Sequence, residues 1–159
     1  MPNVQKITPF LWFDHQAEEA ANFYVSIFPG SRMGQVARYG EGMPGPAGSA
    51  MTVAFELCGQ PFTALNGGPL FSFTEAVSFV IHCADQAEID HYWDRLTEGG
   101  KPVQCGWLKD RYGLSWQVVP DVLLELVSGP DAAVAGRVMQ AMMGMVKLDI
   151  AKLREAAER

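Results

Sequence analysis

The stretch ITPFLWFDHQAEEAANFYVSIFPGS, residues 7–31, decides the fold. Residues 7–14 carry apolar groups on both alternating faces: Ile7, Pro9, Leu11 and Phe13 on one, Phe10 and Trp12 on the other. A strand of that kind is expected to be covered on both faces. Ala17, Ala20, Ala21, Tyr24, Ile27 and Phe28 then form one helical stripe, and Pro29-Gly30 stops the helix. The pattern restarts in AVSFVIHCADQAEIDHYWDRLTEGG, residues 76–100. There Val77, Phe79 and Ile81 share one strand face, Asp85 and Glu88 are spaced as a capping box, and Ile89, Tyr92, Trp93 and Leu96 form the next stripe before Gly99-Gly100. Asp14 and Asp85 close equivalent strands, so the chain carries an internal repeat.

Each helix is followed by strands. In the first copy these are residues 32–39, a strand with Met51, Val53, Phe55 and Leu57 on one face, and Gln60 to Asn66, which ends at the turn Asn66-Gly67-Gly68-Pro69. Residues 41–49 pack three glycines and two prolines into nine positions and read as a loop, with the character of a mobile flap. In the second copy, short strands are expected around 102–109 and 114–119, joined by a hairpin turn at Asp110 to Gly113. From Pro120 the chain reads as helical. Val134, Val138, Ala141, Met142 and Met145 form one stripe, and Asp149 caps a last helix with Ile150, Leu153 and Ala157 inward. This tail is expected to pack outside the sheet or on a partner chain. The reading is a single α+β domain over 1–159, with modules at 5–68 and 75–120 and a helical tail at 121–159. One copy cannot bury its sheet face alone; two paired copies can.

Composition narrows the function. The 159 residues hold 12 basic and 18 acidic side chains, a net charge of -6. That balance argues against a sequence-independent grip on nucleic acid or anionic membranes. No apolar run reaches the roughly 18 residues of a membrane span, and the N-terminus lacks a signal-peptide pattern, so a cytoplasmic protein is expected. Cys58, Cys83 and Cys105 stand far apart with no C-x-x-C, and are expected as reduced, mostly buried thiols rather than a zinc or redox pair. No Gly-x-Ser-x-Gly elbow appears, and no cysteine has an adjacent base.

The doubled β-α-β-β-β order resembles the glyoxalase/bleomycin-resistance/dioxygenase (vicinal oxygen chelate) superfamily. Within it, residues 7–31, FTALNGGP (62–69), CGWLKDRYGLSWQVVP (105–120) and RVMQAMMGMVKLDIAKL (137–153) resemble the PhnB-like branch, labelled 3-demethylubiquinone-9 3-methyltransferase. The resemblance implies two paired modules whose curved sheets enclose a cleft, within a homodimer. It also implies a divalent metal held by His and Glu from the opening and closing strand of each module.

Those ligands are missing at the matching positions. Ile7, Thr8 and Pro9 stand where the first His is expected, Thr63 and Asn66 are the polar groups of the first closing strand, Phe79 takes the second His position, and Gln117 replaces Glu. Gln117 is neutral and a poor ligand for a transition metal, though a good hydrogen-bonding group. His82 is expected on the strand face opposite Phe79, His91 on the polar side of its helix, and His15 in a surface turn, none of them rescuing the site. The cofactor expectation is therefore none, with a divalent metal recruited some other way as the alternative. The glycine turn at 66–69 leads to a proline and a strand rather than to a helix, so it does not read as an S-adenosylmethionine cradle.

What remains is an apolar cleft. Trp12, Phe62, Phe73, Phe79, Trp107 and Trp116 are expected to line or back it, although ordinary core is the more common role for each such residue taken alone. The expected ligand-binding set is Trp12, Thr52, Asn66, Phe79, Trp107, Ser115 and Gln117. The favoured function is a metal-independent small-molecule binding protein. The alternatives are a metal-assisted isomerase, lyase or dioxygenase with a nonstandard site, the family-labelled methyltransferase, or a dimeric scaffold without ligand.

Overall fold

A computed structural model describes residues 5–159. The chain falls into two compact units, residues 1–72 and 73–159. The first holds β1 (Phe10–Phe13), α1 (Ala17–Ile27), β2 (Arg32–Arg38), β3 (Ala50–Leu57) and β4 (Gln60–Asn66). Its sheet runs β1-β4-β3-β2, with β1 parallel to β4 and the other neighbours antiparallel. The second repeats the order with β5 (Ser78–Cys83), α2 (Gln86–Thr97), β6 (Lys101–Pro102), β7 (Trp107–Lys109) and β8 (Ser115–Pro120), in a sheet ordered β5-β8-β7-β6. The expected α+β fold of two βαβββ modules is present. A tail of α3 (Asp121–Val127), α4 (Ala132–Met143) and α5 (Ile150–Glu158) follows within the second unit. Among the described residues, no helix is long and apolar enough to cross a membrane.

The helices form for the reasons the stripes gave. Ala17, Ala20, Ala21, Tyr24 and Ile27 are all buried on α1, and three alanines let the helix lie close to the sheet. The Tyr24 ring stacks over Phe55, which stacks over Phe62. On α2, Ile89, Tyr92, Trp93 and Leu96 are buried. Its cap is reciprocal, as the Asp85 and Glu88 spacing predicts: Asp85 Oδ1 accepts from Glu88 N at 2.9 Å. Glu88 reaches back to Ala84 N at 3.1 Å, one residue earlier than in the usual box.

Four expectations need correction. The opening strands are shorter than the apolar runs: Ile7 and Val77 lie before β1 and β5 and are exposed. The first strand is not covered on both faces, because Phe10 is 58% exposed while Leu11 and Phe13 are buried. The segment 102–109 is interrupted, because Cys105 and Gly106 both take positive φ, 60° and 83°. Their amides bond instead to the carbonyls of Met145 and Val146, which pins the tail to the sheet edge. The tail thus packs on its own unit: Val119, Leu123, Val138, Leu148 and Leu153 form a core of their own. Of the thiols, Cys83 is buried as expected, but Cys58 is exposed and Cys105 half-buried.

Candidate functional site: the sheet faces away from the helices

Strand register sorts the predicted site residues by face. In the first sheet, the Cα partners are Phe10 with Thr63, Trp12 with Leu65, Thr52 with Leu65, and Ala54 with Thr63. Side chains alternate along a strand, so these residues share the face away from α1. A hollow of about 570 Å³ lies there, lined by Gln35, Val36, Ala37, Thr52, Ala54 and Thr63. Thr52 therefore stands in a concave, mostly neutral surface. Trp12 belongs to the same face, and its ring is capped by the following turn: Nε1 donates to Gly68 O at 2.9 Å and Phe71 meets the ring edge-on.

Asn66 lies on the other side. Its Oδ1 accepts from Ala17 N at 2.8 Å, and its Nδ2 donates to Ala50 O at 3.0 Å. Both ends of the amide are spent on tying the start of α1 to β3. The sequence reading made Asn66 a ligand group, but the structure makes it a remote cap for a helix whose own N-cap residue, Gln16, gives the helix no side-chain cap. Its carbonyl also accepts from Tyr39 Oη at 2.5 Å. The loop 41–49 is laced to the same place, with Tyr39 N and Ser49 O bonded at 2.9 Å and Gly48 N and Tyr39 O at 2.8 Å.

In the second sheet, Gln117 pairs with Val80 on one side and Trp107 on the other. Ser78 and Ser115 are partners two residues away on the same strands. Gln117 Nε2 donates to Ser78 Oγ at 2.9 Å. Ser115 is 1% exposed, and its Oγ has no hydrogen-bond partner among the described residues. The face away from α2 thus brings Trp107, Ser115 and Gln117 together. Phe79 is not with them. Its partner is Trp116, their rings 5.6 Å apart, and the alternation turns both toward α2 with Ile81 and Val118. Val80, 43% exposed, holds the position assigned to Phe79. The same alternation puts His82 on the Gln117 face, exposed, although the sequence reading set it apart from the site.

Two of the expected lining aromatics, Phe62 and Trp116, are core. Phe62 stacks on Phe55, and the Trp116 indole donates to Asp110 Oδ2 at 2.9 Å. Asp110 was missed as a functional residue of the fold. It is 3% exposed, and its Oδ1 also takes the amides of Tyr112 and Leu114. Its place as first residue of the hairpin turn was the available signal, since Asp there accepts turn amides. A larger hollow, about 940 Å³, lies between the start of α2 and the tail, lined by Asp85, Asp90, Lys147, Lys152 and others. Its charges are mixed, and Lys147 already meets Asp90 at 2.9 Å. That contact holds the Asp90 carboxyl below its ordinary value and the Lys147 ammonium above its own.

The metal implied by the resemblance can be tested against these positions. The register makes Phe10 and Thr63 in the first sheet the counterparts of Val80 and Gln117 in the second. Two apolar side chains, a hydroxyl and a neutral amide do not make a ligand set for a divalent ion. Among the described residues, no three His, Cys, Asp or Glu side chains are grouped to hold one. S-adenosylmethionine fares no better at the glycine turn. A Cβ at Gly67 would collide with the Trp12 indole, so the turn is already filled by the protein's own ring.

Two βαβββ modules of this topology define a member of the glyoxalase/bleomycin-resistance class. The family model described as 3-demethylubiquinone-9 3-methyltransferase matches residues 5–119. The chain belongs to that family, the PhnB-like branch of the class. It is 38% identical to a PhnB protein of Bacillus cereus, with 73% of this chain and 99% of that one covered and a TM-score of 0.68. Protein PA1353 of Pseudomonas aeruginosa shares the fold at 21% identity and a TM-score of 0.61, over 74% of this chain and 98% of that one. The fosfomycin resistance protein FosX of Mesorhizobium loti shares it at 12% identity and a TM-score of 0.50, over 74% and 91%. No protein of curated description matches the chain. The family match stops at Val119, so the tail, which the resemblance was expected to include, lies beyond it.

Proposed function

We propose that the chain is a metal-independent small-molecule binding protein that holds an aromatic or extended apolar ligand on its helix-free sheet faces. One observation carries this reading: the row Val80, Gln117, Trp107. Here an amide held by Ser78 stands between an exposed aliphatic group and an indole. Apolar walls with a few placed neutral polar groups are what small-molecule sites are made of. Within the first unit, Thr52, Trp12 and the hollow of its sheet offer chemistry of the same kind. Phe79 and Asn66 leave the proposed ligand set, and Val80 and Ser78 join it.

A thermal-shift screen of aromatic compounds, followed by equilibrium dialysis of the hits, tests the reading. At least one compound should raise the unfolding temperature and bind with saturation. Gln117→Ala and Trp107→Ala should weaken that binding without unfolding the protein. A screen without a saturable ligand counts against the proposal.

A second reading, a metal-assisted isomerase, lyase or dioxygenase, draws its support from His82 on the Gln117 face. Elemental analysis separates the two. A homodimer and a cytoplasmic location belong to the proposal as well; light scattering on the purified protein checks the first.

A further inference from the structure

We propose that the ligand on the Gln117 face carries a carboxylate, received by Lys109 together with the hydroxyls of Ser78 and Ser115. This rests on the binding reading above and adds the chemical class of the ligand's polar end.

Register builds the site. Ser78 is the Cα partner of Ser115 across β5 and β8, and Lys109 is the partner of Ser115 across β7 and β8. Three strands thus place a hydroxyl, a hydroxyl and an ammonium in one row on one face. The next row, two residues along, is Val80, Gln117 and Trp107. Two residues of strand span roughly 6.6 Å. A short aryl acid therefore reaches from one row to the other, its ring over Trp107 and Val80 and its carboxylate beside Lys109.

The donors match that group. Ser78 Oγ accepts from Gln117 Nε2, which leaves its own hydrogen to donate. Ser115 Oγ is buried and has no partner among the described residues. A buried hydroxyl without a partner is costly, and an ionised carboxylate is an acceptor with room for several donors. One ammonium and two hydroxyls suit a single negative charge.

The chain also supplies an internal stand-in. The Glu75 carboxylate is ion-paired with Lys109 Nζ. Glu75 lies in the irregular segment before β5, with its side chain 57% exposed, so an incoming carboxylate can displace it. The bond from Lys109 holds the Glu75 carboxyl below its ordinary value, so it is ionised at neutral pH.

A matched pair of probes tests this, 2-naphthoate and 2-naphthamide, which differ only in the charged end. Titration by tryptophan fluorescence should give tighter binding of the naphthoate. Lys109→Met keeps the length of the stem and should weaken the naphthoate about tenfold, the usual order for losing one charge-assisted hydrogen bond, and the naphthamide, whose neutral carbonyl is a poorer acceptor, by much less. Glu75→Gln removes the competitor and should tighten the naphthoate several-fold, a gain that a misfolded variant would not show. Equal affinities for the two probes, or equal losses in Lys109→Met, overturn the carboxylate and leave the binding reading standing. No saturable binding of either probe overturns both.

Discussion

Replacing Asn66 by alanine should damage the fold rather than ligand binding, and the size of the effect follows from two bonds. The first, Ala17 N–H to Oδ1 at 2.8 Å, satisfies a free amide at the start of α1. Caps of that kind are worth about 1 kcal/mol, within a range of roughly 0.5–2. The second, Nδ2–H to Ala50 O at 3.0 Å, contributes about another 1 kcal/mol. Both lie in a half-buried place, so water replaces them incompletely, and Asn66→Ala is expected to cost about 2–3 kcal/mol in all. Asn66→Asp discriminates between the two bonds. Its carboxylate keeps the acceptor for Ala17 and favours the helix start, but sets an anionic oxygen against the Ala50 carbonyl. It should be less stable than the parent by about 1–2 kcal/mol. Urea denaturation followed by tryptophan fluorescence and by far-ultraviolet circular dichroism measures both. An Asn66→Ala protein within 0.5 kcal/mol of the parent, together with a loss of ligand affinity, would return Asn66 to the binding face and refute the face assignment.

Asp110→Asn should destabilise the second unit by about 2 kcal/mol, because an amide cannot accept from Tyr112 N, Leu114 N and Trp116 Nε1 at once; chemical denaturation reads the loss, and an unchanged midpoint contradicts it. The Cys83 thiol is pushed up from 9.0 to about 12 by burial, with Glu88, Asp121 and Asp85 adding to it. It ionises less readily folded than unfolded, so its contribution to stability is whole below pH 9.0 and falls as pH rises toward about 12. Cys83→Ala should flatten the fall of the urea midpoint over that window, and in the native protein a thiol reagent should find the exposed Cys58 first and Cys83 only on unfolding. Gln86 joins α2 to the tail through Leu148 O and Ile150 N, at 3.1 and 2.9 Å. Gln86→Ala should raise amide exchange at the start of α5 while α1 stays as it was.

The sequence made the repeat legible because each helix buries a regular stripe and each ends on a turn signal. Ala17 to Phe28 and Ile89 to Leu96 are core where their periodicity put them. The caps at Asp85 and Asp149 are also where the spacing set them. The site was harder to read, for a physical reason. A strand that is apolar on both faces gives no contrast, so which of Phe79 and Val80 turns toward Gln117 rests on register, and register is set by pairing with a distant strand. The same ambiguity set His82 apart and counted Phe62 and Trp116 as lining. Asn66 misled because its partners, Ala17 and Ala50, are 49 and 16 residues away.

The central claim is that the chelating positions of this fold hold neutral side chains here and bind a ligand without a metal. Elemental analysis of protein purified without chelator tests it most directly. Far less than one equivalent of any divalent transition metal is expected, with ligand affinity indifferent to EDTA. One equivalent of zinc, nickel, manganese or iron, lost together with ligand binding in Gln117→Ala or His82→Ala, would contradict it.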